Sequence, residues 1–164
     1  MTTFVRTAYI AGALTNVPPE LRELLQKFYV ELGGVCREFG FFPYIPHIYA
    51  DPKTAPHLTK TQVDRIDRLA VTLSYIVIAY IGVPSTGVGI EIECANHANK
   101  PVVVFYEKEK HEARLISRLV RGNRAIWHEI AFKDFEDAKR KLRKFLTRFC
   151  KKIGSENLPE PLSV

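Results

Sequence analysis

Short apolar runs alternate along this chain with longer segments in which apolar residues recur every three or four positions. The short runs are typical of buried strands, and the three-to-four spacing is typical of amphipathic helices. Strands that alternate with helices predict an α/β fold, here a five-stranded parallel sheet with helices on both faces in flavodoxin-like, or Rossmann-like, order. The predicted strands cover residues 7–11, 41–44, 74–81, 101–106 and 125–132.

Helices are predicted between these strands, and turn-forming residues bound most of them. The first follows Asn16 and Pro18, the second begins at Thr59 or Thr61, and the last is capped by Asp134. Two more are predicted over 90–99 and 109–121. The segment 45–57 is rich in proline, histidine and aromatic residues, and it is predicted to be an irregular loop, which at this length is often functional.

One segment, Pro84-Ser-Thr-Gly-Val-Gly-Ile-Glu-Ile-Glu93, joins a predicted buried strand to the helix over 90–99. Glycines here could allow a tight turn, and a helix N-terminus offers free N–H groups to an anion. Two glycines alone are a weak signal of a nucleotide site. The carboxylate of Glu91, expected in the first helical turn, makes the signal more specific.

Helical geometry separates Glu91 from Glu93. Glu93 shares a polar face with His97 and Lys100, whereas Glu91 lies about 160° away around the helix, on an apolar face. A carboxylate on that face must be buried or border a cavity, which is costly unless it has partners. The alternative is that Glu91 is a structural residue stabilised by the helix dipole.

The same comparison separates Asp67 from Asp64. Asp64 has Lys60 and Arg68 four residues away on either side, as in a surface charge ladder, whereas Asp67 has valines at those positions. We therefore expect Asp67 to lie near Glu91 at the carboxyl edge of the sheet. The helix N-terminus should keep Glu91 ionised, and burial should raise the pKa of Asp67, which separates a nucleophile from an acid.

Composition bounds the class of protein without naming it. The longest apolar run is about nine residues, and a bilayer span needs roughly 20. No signal pattern is evident, and three widely spaced cysteines predict reduced thiols in a cytoplasmic protein. We expect one domain over residues 1–153 and a loose tail over 154–164. The net charge of +6 is concentrated in the last helix, which is expected to have a solvated basic face.

Three groups of residues resemble the nucleoside 2-deoxyribosyltransferase superfamily, most closely its 2′-deoxynucleoside 5′-monophosphate N-glycosidase branch. They are Tyr9-Ile-Ala-Gly12, Asp67, and the segment from Pro84 to Glu91. The likeness extends through Leu115–Gly122 and covers most of residues 7–149.

The resemblance implies a role for each matching residue. Glu91 would be the nucleophile that attacks the anomeric carbon, Asp67 the acid that assists departure of the base, and Tyr9 the residue that holds the nucleophile. Substrate and phosphate would be bound by Gly12, Ser85, Gly87, Gly89 and Ser117. Ser117 would come from the neighbouring subunit of a homodimer. No cofactor and no metal are implied.

Three departures from the branch limit what the resemblance implies. Thr15 occupies a position where the branch has an arginine, which removes one phosphate contact. Tyr75 and Tyr80 replace acidic residues common around the third strand. The loop over 43–57 has no clear match, so the base and the choice between ribose and deoxyribose stay open.

The expected function is hydrolysis of the N-glycosidic bond of a nucleoside 5′-monophosphate through a glycosyl-enzyme ester. A hydroxyl at Ser85, rather than the carboxylate common in the nucleoside transferases, favours a nucleotide over a nucleoside. Two alternatives are a transferase that passes the sugar to another base and a non-catalytic nucleotide-binding module. Nucleic-acid binding through the basic C-terminal helix is a more distant alternative, and no membrane partner is expected.

Overall fold

The computed structural model describes residues 5–53 and 55–155. Five parallel strands form one sheet in the order β2-β1-β3-β4-β5, which confirms the predicted fold class and strand order. The strands are β1 (Arg6–Ala11), β2 (Phe41–Tyr44), β3 (Ile76–Tyr80), β4 (Val102–Glu107) and β5 (Ile126–Phe132). The helices are α1 (Pro19–Glu38), α2 (Pro46–Tyr49), α3 (Lys60–Leu73), α4 (Thr86–His97), α5 (Lys108–Glu112), α6 (Arg118–Arg121) and α7 (Phe135–Ser155).

Hydrophobic side chains cover both faces of the sheet. Strand β3 is buried along its whole length, and its residues alternate between the two faces. Ile76, Ile78 and Tyr80 face the core that α1 and α7 complete. Val77 and Ala79 face the core that α3 and α4 complete. Helices therefore lie on both faces, as the sequence pattern predicts.

Strand order decides where a ligand site can form. The chain leaves β1 towards one edge of the sheet and leaves β3 towards the other, so the carboxyl ends of these two neighbouring strands form a topological switch point. Tyr9 lies on β1, and α4 follows β3. The fold thus brings the resembling segments to one location.

Three predicted segments differ in the structure. Helix α4 begins at Thr86 with Ser85 as its N-cap, four residues before the predicted start, so Glu91 lies in the second turn. The single helix predicted over 109–121 is instead two short helices, α5 and α6, separated by a turn in which Arg114 has a φ of 58°. The segment predicted as irregular contains the short helix α2.

Helix α7 carries eight of the 24 lysines and arginines of the chain, and two of them are paired with α1. Lys139 lies 3.0 Å from Glu31, and the Arg143 guanidinium donates to Glu38 at 2.7 Å. The predicted tail boundary at 154 falls inside α7, and residues 156–164 lie outside the described residues. None of the described helices combines the length and apolar character that a membrane span requires.

Candidate active site

Glu91 projects from the second turn of α4 towards the first strand. The hydroxyl of Tyr9, which is fully buried on β1, donates a hydrogen bond of 2.6 Å to Glu91 Oε1. Burial and the nearby carboxylate raise the pKa of Tyr9 far above its ordinary value, so the hydroxyl stays a neutral donor. The sequence prediction that Tyr9 holds Glu91 agrees with this contact.

Asp67 approaches the same region from α3. Together with Glu91 and Gly87 it lines a cavity of about 130 Å³ between α3 and α4. The two carboxylates that the sequence singles out therefore share a cavity at the carboxyl side of the sheet. Asp64, by contrast, is half-exposed and is paired with Arg68 at 2.8 Å, as the charge-ladder interpretation predicts.

An aromatic row borders this pair of carboxylates. Tyr9 stacks on Tyr44 with a centroid distance of 5.5 Å, and Tyr44 stacks on Tyr49 at 5.0 Å. The Tyr44 hydroxyl also makes a long contact of 3.5 Å with Asp67 Oδ1. Sequence reasoning placed Tyr44 at the end of a strand but gave it no role, although the carboxyl end of a strand next to β1 was an available signal.

The protonation of the two carboxyl groups differs from the expectation. Burial raises the pKa of Glu91 to about 8, against the lowering effect of the Tyr9 hydrogen bond and with a further rise from the Asp67 charge. Burial raises the pKa of Asp67 to about 6. We expected the helix N-terminus to keep Glu91 ionised, but Glu91 is one turn too far from that end, and the dipole effect is strong only in the first turn.

Ser85 is the N-cap of α4. Its side chain accepts a hydrogen bond from the Val88 amide at 3.4 Å, and its carbonyl accepts one from the Gly89 amide at 3.2 Å. The amides of Thr86 and Gly87 precede the first intrahelical hydrogen bonds and so have no acceptor within the helix. These two N–H groups, rather than that of Gly89, are the ones an anion could reach.

Gly87 and Gly89 have a different structural role from the one predicted. Neither has a positive φ, so the chain does not need glycine there to make a tight turn. A Cβ at Gly89 would meet no atom within 4 Å, and one at Gly87 would meet only the Ser85 hydroxyl at 3.8 Å. Both positions instead keep the surface around the helix N-terminus open.

Ser85 and Ser117 lie on a second cleft, of about 360 Å³, on the other side of the first turn of α4 from the carboxylates. Both serines belong to the same chain, and Ser117 caps α6 by accepting from the Val120 amide at 3.3 Å. Gly12, at the end of β1, packs against Tyr29, because a Cβ there would lie 2.1 Å from the tyrosine ring. The structure thus places six of the predicted residues in two neighbouring depressions: Asp67, Gly87 and Glu91 line one, and Ser85, Gly89 and Ser117 line the other.

Glu93 lies on the surface, as its polar helical face predicts. Its carboxylate accepts hydrogen bonds from Asn96 at 3.1 Å and from Asn123 at 2.7 Å, and His97 is 3.2 Å away. These contacts lower the pKa of Glu93, opposite to the shift at Glu91. Two glutamates one residue apart therefore have opposite environments, which makes Glu93 a useful control for Glu91.

Comparisons with known proteins find this fold among solved structures. No protein-family model matches the chain, and no curated protein matches it in sequence. The structure of the CMP N-glycosidase BcmB from Clostridium botulinum matches with a TM-score of 0.62 and 21% identity, over 85% of this chain and 99% of that one. The solution structure of BlsM matches with a TM-score of 0.69 and 21% identity, over 94% and 98%.

A more distant match is the 2-deoxyribosyltransferase from Leishmania mexicana, with a TM-score of 0.52 and 15% identity over 85% of this chain and 97% of that one. At these identities the matches concern the course of the backbone. The chain therefore shares the fold of these three solved structures.

Proposed function

We propose that this protein hydrolyses the N-glycosidic bond of a nucleoside 5′-monophosphate and releases the free base and a sugar 5-phosphate. The observation that carries the proposal is the Tyr9–Glu91 hydrogen bond, together with the cavity that Glu91 shares with Asp67. Enzymes that cleave a bond at an anomeric carbon commonly use two carboxyl groups in different environments, one as the nucleophile and one as the acid. The structural neighbour that cleaves CMP supports a nucleotide as the substrate.

The reaction would proceed in two displacements. Glu91 Oε2, the oxygen not bonded to Tyr9, attacks C1′, and the C1′–N bond breaks with its electron pair moving to the base. Asp67 gives its proton to the departing base. Water then attacks C1′, its proton passes to the Asp67 carboxylate, and the ester C–O bond breaks to free Glu91. The balance is one nucleotide and one water consumed, with one base and one sugar phosphate formed.

The experiment is a base-release assay on a panel of ribo- and deoxyribonucleoside monophosphates, with products separated by chromatography. The Glu91→Gln variant keeps the shape but removes the attacking charge, and turnover should fall at least about 10³-fold. Glu93→Gln is the matched control, because it removes a surface carboxylate from the same helix and should leave turnover unchanged. Near-normal turnover in Glu91→Gln would reject the assignment.

The second candidate is transfer of the sugar to another base, which the likeness to a 2-deoxyribosyltransferase favours. Both reactions share the first displacement and differ in what attacks the ester. A free acceptor base added to the assay should yield a new nucleotide if transfer occurs. Under the hydrolase proposal, base release continues at the same rate and no new nucleotide forms.

A homodimer is part of the proposal. Leu69 and Leu73 on α3 are 58% and 54% exposed, and Ile90 on α4 is 45% exposed, which supports an interface on this side of the sheet. Mixing Glu91→Gln with Ser117→Glu tests whether Ser117 serves the neighbouring site. If it does, mixed dimers regain one intact site and activity returns; if Ser117 serves its own chain, the mixture stays inactive.

A further inference from the structure

The cleft that holds Ser85 and Ser117 also holds two arginines. Arg114 lies in the turn between α5 and α6, and Arg118 is the first residue of α6. Both line a cleft of about 360 Å³ that they share with the loop leading into α4. Among the described residues that line this cleft, there is no carboxylate. The cleft thus combines two positive charges with two hydroxyl groups, which suits a dianion.

Neither arginine is engaged in another side-chain interaction in the described part of the chain. Arg121, on the same short helix as Arg118, is paired, since it donates to Glu129 at 2.7 Å. No hydrogen bond or ion pair within residues 5–53 and 55–155 engages the guanidinium group of Arg114 or Arg118. Both side chains are exposed, so a ligand could reach them without any displacement of a partner.

The backbone of this turn is also unusual. Arg114 has a φ of 58°, a left-handed conformation that glycine or asparagine adopts at lower cost than arginine. Ile116 is buried beneath the turn and anchors it. Strained backbone at a non-glycine residue is often kept for function. Here that residue is one of the two cations that face Ser85.

We propose that Arg114 and Arg118 bind the 5′-phosphate of the substrate and determine the preference for a nucleotide over a nucleoside. This inference rests on the proposed function and adds two residues to it. It also supplies phosphate-binding cations in a chain that has Thr15 where the resembling branch has an arginine in the first βα loop.

The first test compares kcat/KM for a nucleoside 5′-monophosphate with kcat/KM for the corresponding nucleoside. Each of Arg114→Gln and Arg118→Gln should reduce this ratio about tenfold through KM, and the double variant should reduce it further. Arg124→Gln is the matched control, because Arg124 is an arginine of the neighbouring surface outside this cleft. A ratio that stays constant in the double variant would overturn the inference.

The second test does not depend on catalysis. Ribose 5-phosphate and ribose are titrated into the Glu91→Gln protein by calorimetry, with and without Arg118→Gln. We expect ribose 5-phosphate to bind at least tenfold more tightly than ribose, to weaken at higher salt, and to lose most of this advantage in the Arg118→Gln background. Equal affinity for the two sugars would overturn the inference. If ribose 5-phosphate binds more tightly than ribose but the wild type releases no base, the result would uphold the phosphate site and reject the proposed hydrolase activity.

Discussion

Replacing Tyr9 by phenylalanine should reveal how the two carboxyl groups share a proton. The proposed reaction needs Glu91 ionised and Asp67 protonated, but burial gives Glu91 a pKa of about 8 and Asp67 a pKa of about 6. These values differ by about 2, so the reactive arrangement is only about one hundredth of the singly protonated enzyme. The hydrogen bond from Tyr9 favours that arrangement, because it stabilises the Glu91 carboxylate.

The magnitude follows from the loss of one hydrogen bond to a charged group. Such a bond contributes about 1.5–3 kcal/mol, which corresponds to a factor of roughly 10 to 150. Tyr9→Phe should therefore raise the pKa of Glu91 and lower the plateau of kcat/KM between pH 6 and pH 8 by that factor. The basic limb of the profile should move to higher pH by the same amount, since Glu91 then loses its proton later. The acidic limb, set by Asp67, should stay near pH 6.

The assay is base release at low substrate concentration from pH 5 to pH 10, which reports the free enzyme. Ionisation of the substrate phosphate is common to all variants and cancels in the comparison. Tyr44→Phe is the contrasting variant, because its hydroxyl contacts Asp67 and not Glu91; its loss should move the acidic limb to higher pH and leave the basic limb in place. If Tyr9→Phe instead moves the acidic limb upward and leaves the plateau unchanged, Glu91 is the more acidic group and the reasoning fails.

Two further predictions concern stability. Glu91 has a raised pKa in the folded state, so the folded protein holds this proton more tightly, and stability should fall as pH rises from about 4.5 towards 8. Glu91→Gln should therefore raise Tm, measured by calorimetry, and the rise should be larger at pH 8 than at pH 5. Each kcal/mol of added stability corresponds to about 2–4 °C in Tm. A rise in Tm that does not depend on pH would contradict this prediction. Gly12→Ala should lower stability by about 1–3 kcal/mol in urea titrations, because its Cβ would overlap the Tyr29 ring. Gly34→Ala is its control, since nothing lies within 4 Å of a Cβ there and helical alanine should stabilise α1 by about 0.5–1 kcal/mol.

The sequence supports the choice of carboxylates because that choice depends only on helical periodicity. Glu91 and Glu93 differ by two positions, and the angle between them is the same whether α4 begins at Thr86 or at Ile90. The assignment of buried and exposed faces therefore survives an error of four residues in the helix start. Asp67 and Asp64 are separated by the same argument: burial raises the pKa of Asp67, whereas Asp64 is exposed and paired with Arg68.

The electrostatics could not be predicted in the same way, because they depend on distance from the helix end. The predicted helix start at Ile90 would place Glu91 in the first turn, where the helix dipole keeps a carboxylate ionised; the helix in fact begins at Thr86. The prediction that Gly87 and Gly89 allow a tight turn was also wrong. Both are ordinary helical residues, and the lack of a side chain leaves open surface around them. The split between α5 and α6 was also missed, because the charged and apolar residues of 109–121 keep helical spacing across the turn at Arg114.

The two depressions on either side of the first turn of α4 separate opposite charges, and this separation could orient a nucleotide. The smaller cavity is lined by three carboxyl groups, those of Asp64, Asp67 and Glu91, and by one arginine, Arg68. The larger cleft is lined by two arginines and by no carboxylate among the described residues. A phosphate dianion would be repelled from the first and attracted by the second, so the glycosidic end of the molecule would be left beside the nucleophile. Burial raises the pKa of Glu91 to about 8, so Glu91 holds a proton at neutral pH before the substrate arrives. An enzyme of this kind would bind its substrate through the phosphate, and Glu91 would have to lose its proton before it attacks C1′.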